Sequence, residues 1–266
     1  MYSTSYHRAS SVADAVKLLE EADDGKLLSG GMTLIPAMKT RLAAPSDLVD
    51  LRHIPELKGI AIEGGSVTIG AATPHYDVAS NAQLARICPA ITHLAGHIGD
   101  PHVRHMGTIG GSISNNDPSA DYPAAMLALD ATIVTNQRSL SAAEFFTGLF
   151  ETAMEEREIV TAVTFSAPEK AGYSKFPNPA SRYAMTGVFV AKNGGEVRVA
   201  VTGAGDNGVF RSAELEEVLS RNFDVSVLAG IRLPSDDLMS DLHATAEYRA
   251  NLIVVMAKRA VAAANS

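Results

Sequence analysis

Cysteine is the scarcest chemically useful residue in this chain, with Cys88 alone among 266 residues. One thiol cannot close an internal disulfide, complete a cysteine-ligated zinc site or hold an iron–sulfur cluster, so a redox centre carried by this chain itself has to be organic. Tryptophan is missing altogether, which excludes nothing specific. A basic excess is missing too: 22 Lys and Arg against 30 Asp and Glu give a net charge of -8 and a pI near 5.5. Nucleic-acid surfaces and polybasic membrane patches work by clustering cations, so neither partner is expected. No window approaches the ~20 apolar residues of a membrane span, and Met1 to Arg8 carries no apolar run of signal-peptide length, so a cytoplasmic location is expected. Repeats, low-complexity tracts and coiled-coil heptads are likewise absent. What remains is 46% hydrophobic residues at a mean hydropathy of +0.07, ample for two compact domains or one with subdivisions.

Punctuation by glycine and proline divides the chain. Ser11 to Asp14 fits a capping box, and Val12, Val16 and Leu19 recur at helical spacing until Asp23-Asp24-Gly25. A short strand over Lys26 to Ser29 and another around Asp47 to Leu51 complete a β-α-β-like start. Gly64-Gly65, between Leu57 to Glu63 and Ser66 to Gly70, is a hairpin signal, and a mostly antiparallel segment begins there. Helices are expected over Pro74 to Ser80, Pro89 to His97, Tyr122 to Leu129 and Ser141 to Phe146, with strands over Ala131 to Thr135 and Glu158 to Phe165. A region rich in Pro, Gly and Lys over Pro168 to Pro179 reads as a boundary. Beyond it, Asn193-Gly194-Gly195 marks a second hairpin, and Ser212 to Ser220 and Thr245 to Ala263 read as helices.

Two stretches concentrate unusual chemistry. Between His97 and Tyr122, Gly107, Gly110 and Gly111 suit main chain lying directly against a ligand. Thr108, Ser112, Ser114, Asn115, Asn116, Asp117 and Asp121 follow with hydroxyls, amides and carboxylates, and the stretch reads as neither an ordinary strand nor an ordinary helix. Near the N-terminus a strand leads into Gly30-Gly31-Met32-Thr33 and then a helix over Leu34 to Leu42, with Thr33 as its N-cap. Strand, glycine turn and helix start direct unpaired N–H groups at one spot, the usual physical answer to a phosphate. Two such loops in one domain would grip a dinucleotide.

Other patterns carry less. Gly203 to Gly208 matches G-x-G-x-x-G after a strand, but the next helix starts near Ser212 and too little chain follows for a doubly wound sheet. A P-loop is ruled out because Met38 stands where glycine is required before Lys39-Thr40. His93 and His97, with His102 and His105 nearby, lack the H-E-x-x-H arrangement, and no metal site is expected. There is no G-x-S-x-G elbow and no evident acid–base pair, so no catalytic residue of the chain's own is expected.

The two loops resemble those of the FAD-binding medium subunits of molybdenum hydroxylases, of the carbon monoxide dehydrogenase and xanthine dehydrogenase type. That family's first loop reads about A-G-G-x-[ST]-L-x-P, answered by Ser29 to Pro36 and followed by M-K-x-R-L at Met38 to Leu42. Its second reads about I-G-D-x-Q-V-R-N-x-G-T-I-G-G-S-x and then D-P-x-A-D-x-P, answered by Ile98 to Pro123. Tyr173-Ser174-Lys175 and Tyr248 to Leu252 extend the similarity over nearly the whole chain. Ser29 in place of alanine, His102 and His105 in place of Gln and Asn, and Ser181-Arg182-Tyr183 depart from the pattern.

The resemblance implies an α+β fold: a PCMH-type FAD-binding domain of two α/β subdomains, residues 1–57 and 58–170, then a C-terminal domain, 171–266, with a three-stranded antiparallel sheet and helices. It implies noncovalent FAD, with Ser29 among the cofactor contacts, Gly30, Gly31, Met32, Thr33 and Leu34 at the pyrophosphate and Thr108, Gly110, Gly111 and Ser112 opposite, both loops binding through backbone N–H groups. Asn115 would lie near them, Asp121 on the ribose or adenosine side, and Ala72 and Thr73 along the cofactor. Lys175 would be a further contact, and Tyr183 would cover one face of the isoalloxazine. Molybdenum-pterin would sit on a large partner subunit and [2Fe-2S] clusters on a small one, in a dimer of heterotrimers that passes electrons through FAD to an external acceptor. A self-sufficient FAD-dependent oxidase or reductase, and a noncatalytic nucleotide-binding module, are the alternatives.

Overall fold

A computed structural model describes residues 1–266. Three sheets succeed one another along the chain. The first is parallel, in the order β1-β3-β2, and is formed by β1 (Ser5–Arg8), β2 (Gly25–Leu28) and β3 (Asp47–Asp50), with α1 (Val12–Glu21) and α2 (Leu34–Lys39) as connections. Ser11 accepts from the Asp14 amide, but the Asp14 carboxylate returns to Ser10 rather than Ser11, so the expected capping box is offset by one residue. Thr33 holds the N-cap position of α2 without a side-chain cap, and that helix ends at Lys39, short of the expected Leu42.

The second sheet is antiparallel, in the order β4-β5-β10-β6-β7, and contains β4 (Ile60–Glu63), β5 (Ser66–Gly70), β6 (Thr132–Thr135), β7 (Ser139–Ser141) and β10 (Val160–Ser166). Val67 and Ile69 of β5 and Val163 of β10 alternate inward and are fully buried, which fixes the register. Between β5 and β6 run six short helices: α3 (His75–Ser80), α4 (Ala82–Ile87), α5 (Pro89–Gly96), α6 (Pro101–Met106), α7 (Ile109–Asn115) and α8 (Tyr122–Ala128). The glycine-rich stretch is therefore partly helical, contrary to expectation. Asp100 caps α6, Pro101 takes its first turn, and Thr108 caps α7 through the Gly111 amide. A short helix, α9 (Ala142–Phe145), and a small hairpin of β8 (Phe146–Gly148) and β9 (Glu151–Thr152) precede β10. The helices pack on this sheet to form the largest core, around Ile91, Leu94, Ile109, Ile113 and Tyr122.

The third sheet joins β11 (Lys170–Pro177), β12 (Ala184–Asn193) and β13 (Glu196–Thr202), the three expected antiparallel strands, and adds β14 (Phe210–Arg211) at the edge. Gly203 to Gly208 is a turn between β13 and β14, with no helix beginning on it. Helices α10 (Ala213–Arg221) and α11 (Ala246–Ala264) cover one face through Leu215, Leu219, Ile253, Met256 and Val261. From the other face, Tyr173, Phe189 and Ala200 join the core of the second sheet. That shared core holds the third sheet against the loop after α7: Thr202 Oγ1 donates to the Pro118 and Ala120 carbonyls at 3.0 and 2.6 Å, and the Gly203 amide donates to Pro118 at 2.8 Å.

Candidate cofactor site

One large cleft, about 750 Å³, opens where the three sheets meet. That volume suits a sizeable organic cofactor. Both glycine loops line it. Ser29, Gly30, Gly31, Met32, Thr33 and Leu34 form one wall, and Gly107, Thr108, Gly110, Gly111, Ser112 and Asn115 form the other. Ala71, Ala72 and His75 belong to its lining as well, as do Asp117, Asp121, Arg182 and Tyr183. Thr73 and Lys175 do not reach it: Thr73 Oγ1 is held by the main chain of Gly59, and the Lys175 ammonium lies 2.9 Å from Asp121 Oδ1.

The loops touch directly. A Cβ on Gly30 would stand 2.3 Å from the Met106 carbonyl oxygen, so only glycine permits this approach. Gly31 follows at φ +70, the left-handed conformation that turns the chain out of β2 into α2. The amides of Gly30, Gly31, Met32, Thr33 and Leu34 find no acceptor in the chain, which leaves five consecutive donors on one side of the cleft. Only Gly30 of the five is buried, and such a run of donors at the mouth of a cleft suits an acceptor with several oxygens.

The second loop differs from the first, which corrects the expectation of free backbone donors at Gly110, Gly111 and Ser112 but leaves it standing for Thr108. Gly110 N–H donates to the Ala71 carbonyl at 2.8 Å, Ile109 to Thr73 at 3.2 Å, Ser112 to Thr108 at 3.0 Å, and Gly111 to Thr108 Oγ1 at 3.1 Å. The Ile109 and Gly110 amides fix α7 to the segment that follows β5, those of Gly111 and Ser112 close the first turn of α7, and only the Thr108 amide has no acceptor in the chain. What it offers the cleft is side-chain hydroxyls and the bare surface of Gly111.

Two carboxylates, Asp117 and Asp121, add acidic groups to the lining of the cleft. Asp121 is 4% exposed and lies between the Lys175 ammonium and the Tyr173 hydroxyl, which donates to its Oδ1. Burial pushes its carboxyl above the usual carboxylate range, while Lys175 and Tyr173 pull it back. Burial also raises Asp117, whose Oδ1 accepts from the Ser119 amide. Tyr183 stands half-exposed at the rim, its phenol raised by burial and then by the charges of Asp117 and Asp121. Arg182 Nη1 reaches the Gly99 carbonyl at 3.2 Å, bridging the segment before β12 to the turn before α6.

His75 escaped the sequence reading. It opens α3, lies against Gly107, and stacks obliquely on Tyr122 with ring centroids 5.4 Å apart. Its Nδ1 is buried without a partner, and burial, reinforced by the charge of Arg104, lowers its pKa to about 4. Nothing in the sequence marks it beyond its place after Thr73-Pro74. Lining from Leu51, Leu57, Met154 and Ile159 was equally hidden, because apolar residues from distant segments carry no local signal.

Five free amides and facing hydroxyls in one cleft, whose lining also includes Asp117, Asp121 and Tyr183, define a binding protein for a nucleotide-type cofactor. The family model for the FAD binding domain in molybdopterin dehydrogenase matches residues 2–168. The medium chain of carbon monoxide dehydrogenase from Hydrogenophaga pseudoflava is 34% identical over 275 residues, covering 97% of this chain and 96% of that one. The medium chain of glyceraldehyde dehydrogenase from Sulfolobus acidocaldarius is 34% identical over 271 residues, covering 96% of each. Among solved structures, reconstituted CO dehydrogenase from Oligotropha carboxidovorans superposes with a TM-score of 0.86 at 36% identity, over 99% of this chain and 98% of that one. The chain belongs to this family: it is an FAD-binding medium subunit of the molybdenum hydroxylase type, an oxidoreductase subunit. None of its helices is long and apolar enough to cross a membrane.

Proposed function

We propose that the chain holds FAD noncovalently as an electron relay, taking electrons from [2Fe-2S] clusters on a small partner subunit and delivering them to an external acceptor. Substrate is oxidised at a molybdenum-pterin site on a large partner subunit, in a cytoplasmic dimer of heterotrimers. The observation that carries this reading is the run of five unengaged amides from Gly30 to Leu34, in a cleft whose other residues include no acid–base pair placed for substrate chemistry. The relatives support it as well. Medium chains named for a carbon monoxide dehydrogenase and for a glyceraldehyde dehydrogenase are equally similar to this one, as expected of a subunit that does not meet the substrate.

In this reading Gly30 to Leu34 bind the diphosphate from one side, while Thr108 and Ser112 face it from the other. Ala72 and Asn115 line the cofactor, and Tyr183 covers one face of the ring system. Asp121 lines the site with Lys175 behind it. The divisions at 57/58 and 170/171 set the three sheets apart as two cofactor-binding subdomains and a C-terminal domain, the second division falling one residue inside β11. When bound, FAD supplies the capacity to accept and release electrons that this chain's side chains lack. The protein's part is to orient it and to tune it electrostatically.

The test is anaerobic reduction followed by flavin absorbance. The complete complex bleaches on addition of its substrate, whereas the FAD-loaded chain alone does not. Bleaching of the isolated chain by an organic substrate would replace the relay with a self-sufficient oxidase or reductase.

A further inference from the structure

The hairpin of β8 and β9 turns on only two residues, Leu149 and Phe150, between the paired Gly148 and Glu151. Both are large apolar side chains and both face solvent, 40% and 59% exposed. Neither joins a core, although their neighbours Phe146 and Met154 pack on the largest one. Phe150 also takes φ +56, a left-handed conformation that the second central position of a turn ordinarily gives to glycine or asparagine. An aromatic there costs free energy that its burial in the folded chain does little to offset.

The tip is nonetheless firmly held. Asn116, 3% exposed, donates from Nδ2 to the Gly148 and Glu151 carbonyls at 2.9 and 2.8 Å, and its own main-chain carbonyl accepts from the Phe150 amide at 3.1 Å. Asn115 and Asp117, on either side of that strap, line the cofactor cleft, as does Met154 just beyond the hairpin. Carboxylates edge the tip. Glu151 and the turn carrying Asp206 and Asn207 lie against Gly148, and neither acid has a cation of its own: Arg138 pairs with Glu155 and Glu158, and Arg157 with Glu20.

We propose that Leu149 and Phe150 form a docking knob for a partner subunit, one that offers an apolar socket edged by lysine or arginine. This rests on the reading above of the chain as one subunit among several, and adds to it the residues that carry an interface. An aromatic on a rigid support gives up little conformational freedom when a partner buries it, as an interface anchor should. Unpaired carboxylates around it favour a basic rim and speed the encounter. A second copy of this chain fits poorly, because a two-fold contact through the tip would set the Glu151 and Asp206 of each copy against those of the other.

The experiment uses the FAD-loaded full chain, titrated calorimetrically with the purified remainder of its complex. The parent is measured first, and a parent that binds no other subunit overturns the relay reading itself. Phe150→Gly is then expected to bind the remainder about tenfold more weakly, with unchanged FAD content. The free variant is expected to melt where the parent does, because glycine relieves the left-handed turn and little apolar area is lost. Glu151→Gln is expected to weaken the association and flatten its dependence on salt. Unchanged association in Phe150→Gly overturns the proposal. So does a lowered melting temperature of that variant, which would assign the side chain to the fold itself. Self-association of the parent that Phe150→Gly abolishes overturns it as well, since the occupant would then be a second copy, and unchanged salt dependence in Glu151→Gln overturns the basic rim.

Discussion

Gly30 and Met106 meet so closely that the carbonyl of one occupies the place where the other would carry a side chain. The glycine in this position therefore serves the contact between loops, and a bound cofactor is only the indirect beneficiary. Gly111 is different: a Cβ there would meet Thr108 Oγ1 at 3.0 Å and Ser29 at 3.7 Å, on the face toward the cleft. Gly30→Ala is expected to lower the stability of the apoprotein by about 1–3 kcal/mol, through forced separation of the loops. Gly111→Val is expected to fold near normally and lose FAD. Urea unfolding and flavin content of the two purified variants check the contrast, and normal FAD content in Gly111→Val would remove the second loop from the site.

Asp121 and Lys175 form a buried pair that the apoprotein already contains. Replacing one member leaves the other charge in a medium that cannot solvate it, which costs about 3–5 kcal/mol in comparable sites. Asp121→Asn is therefore expected to destabilise the chain strongly even without FAD. Denaturant unfolding of flavin-free protein measures it. A variant as stable as the parent in the apo form would return Asp121 to the role of a simple cofactor ligand.

His75 gives the fold a pH dependence of definite sign. Its folded pKa of about 4 lies below the ordinary value of 6.5, so as pH falls the unfolded chain takes up the proton first. Stability from this residue is complete above about pH 6.5, declines between there and pH 4, and is level below. At pH 5 the loss relative to neutral pH is roughly 2 kcal/mol. Unfolding free energies at pH 7 and pH 5 are expected to show that decrement in the parent and to lack it in His75→Gln.

Local signals made part of this architecture legible. Gly64-Gly65 takes φ +56 and +85, the turn that a two-residue hairpin demands, so β4 and β5 followed from two letters. The alternating Val67 and Ile69 and the long apolar face of α11 were equally plain, and every glycine of both loops was found where a shared cleft needed it. Helix α7 was not visible because two of its first three residues are glycines, the poorest helix formers after proline. It exists because Ala71 and Thr73 accept its first amides, a tertiary cause. Strand β1 is short, polar and mostly exposed, and only its pairing with β3 makes it a strand. The contacts of Asp121 with Tyr173 and Lys175 were hidden for a similar reason. Its partners Tyr173 and Lys175 arrive more than fifty residues later on β11, and no spacing rule links them.

The match to the cofactor-binding family stops at residue 168, yet the cation that neutralises Asp121 comes from residue 175. Grafting the first 168 residues onto an unrelated tail would strand an acidic group inside the cavity wall. A chimera that keeps the flavin must import β11 along with the recognised portion, so inheritance and engineering alike have to treat that strand as part of the cofactor module.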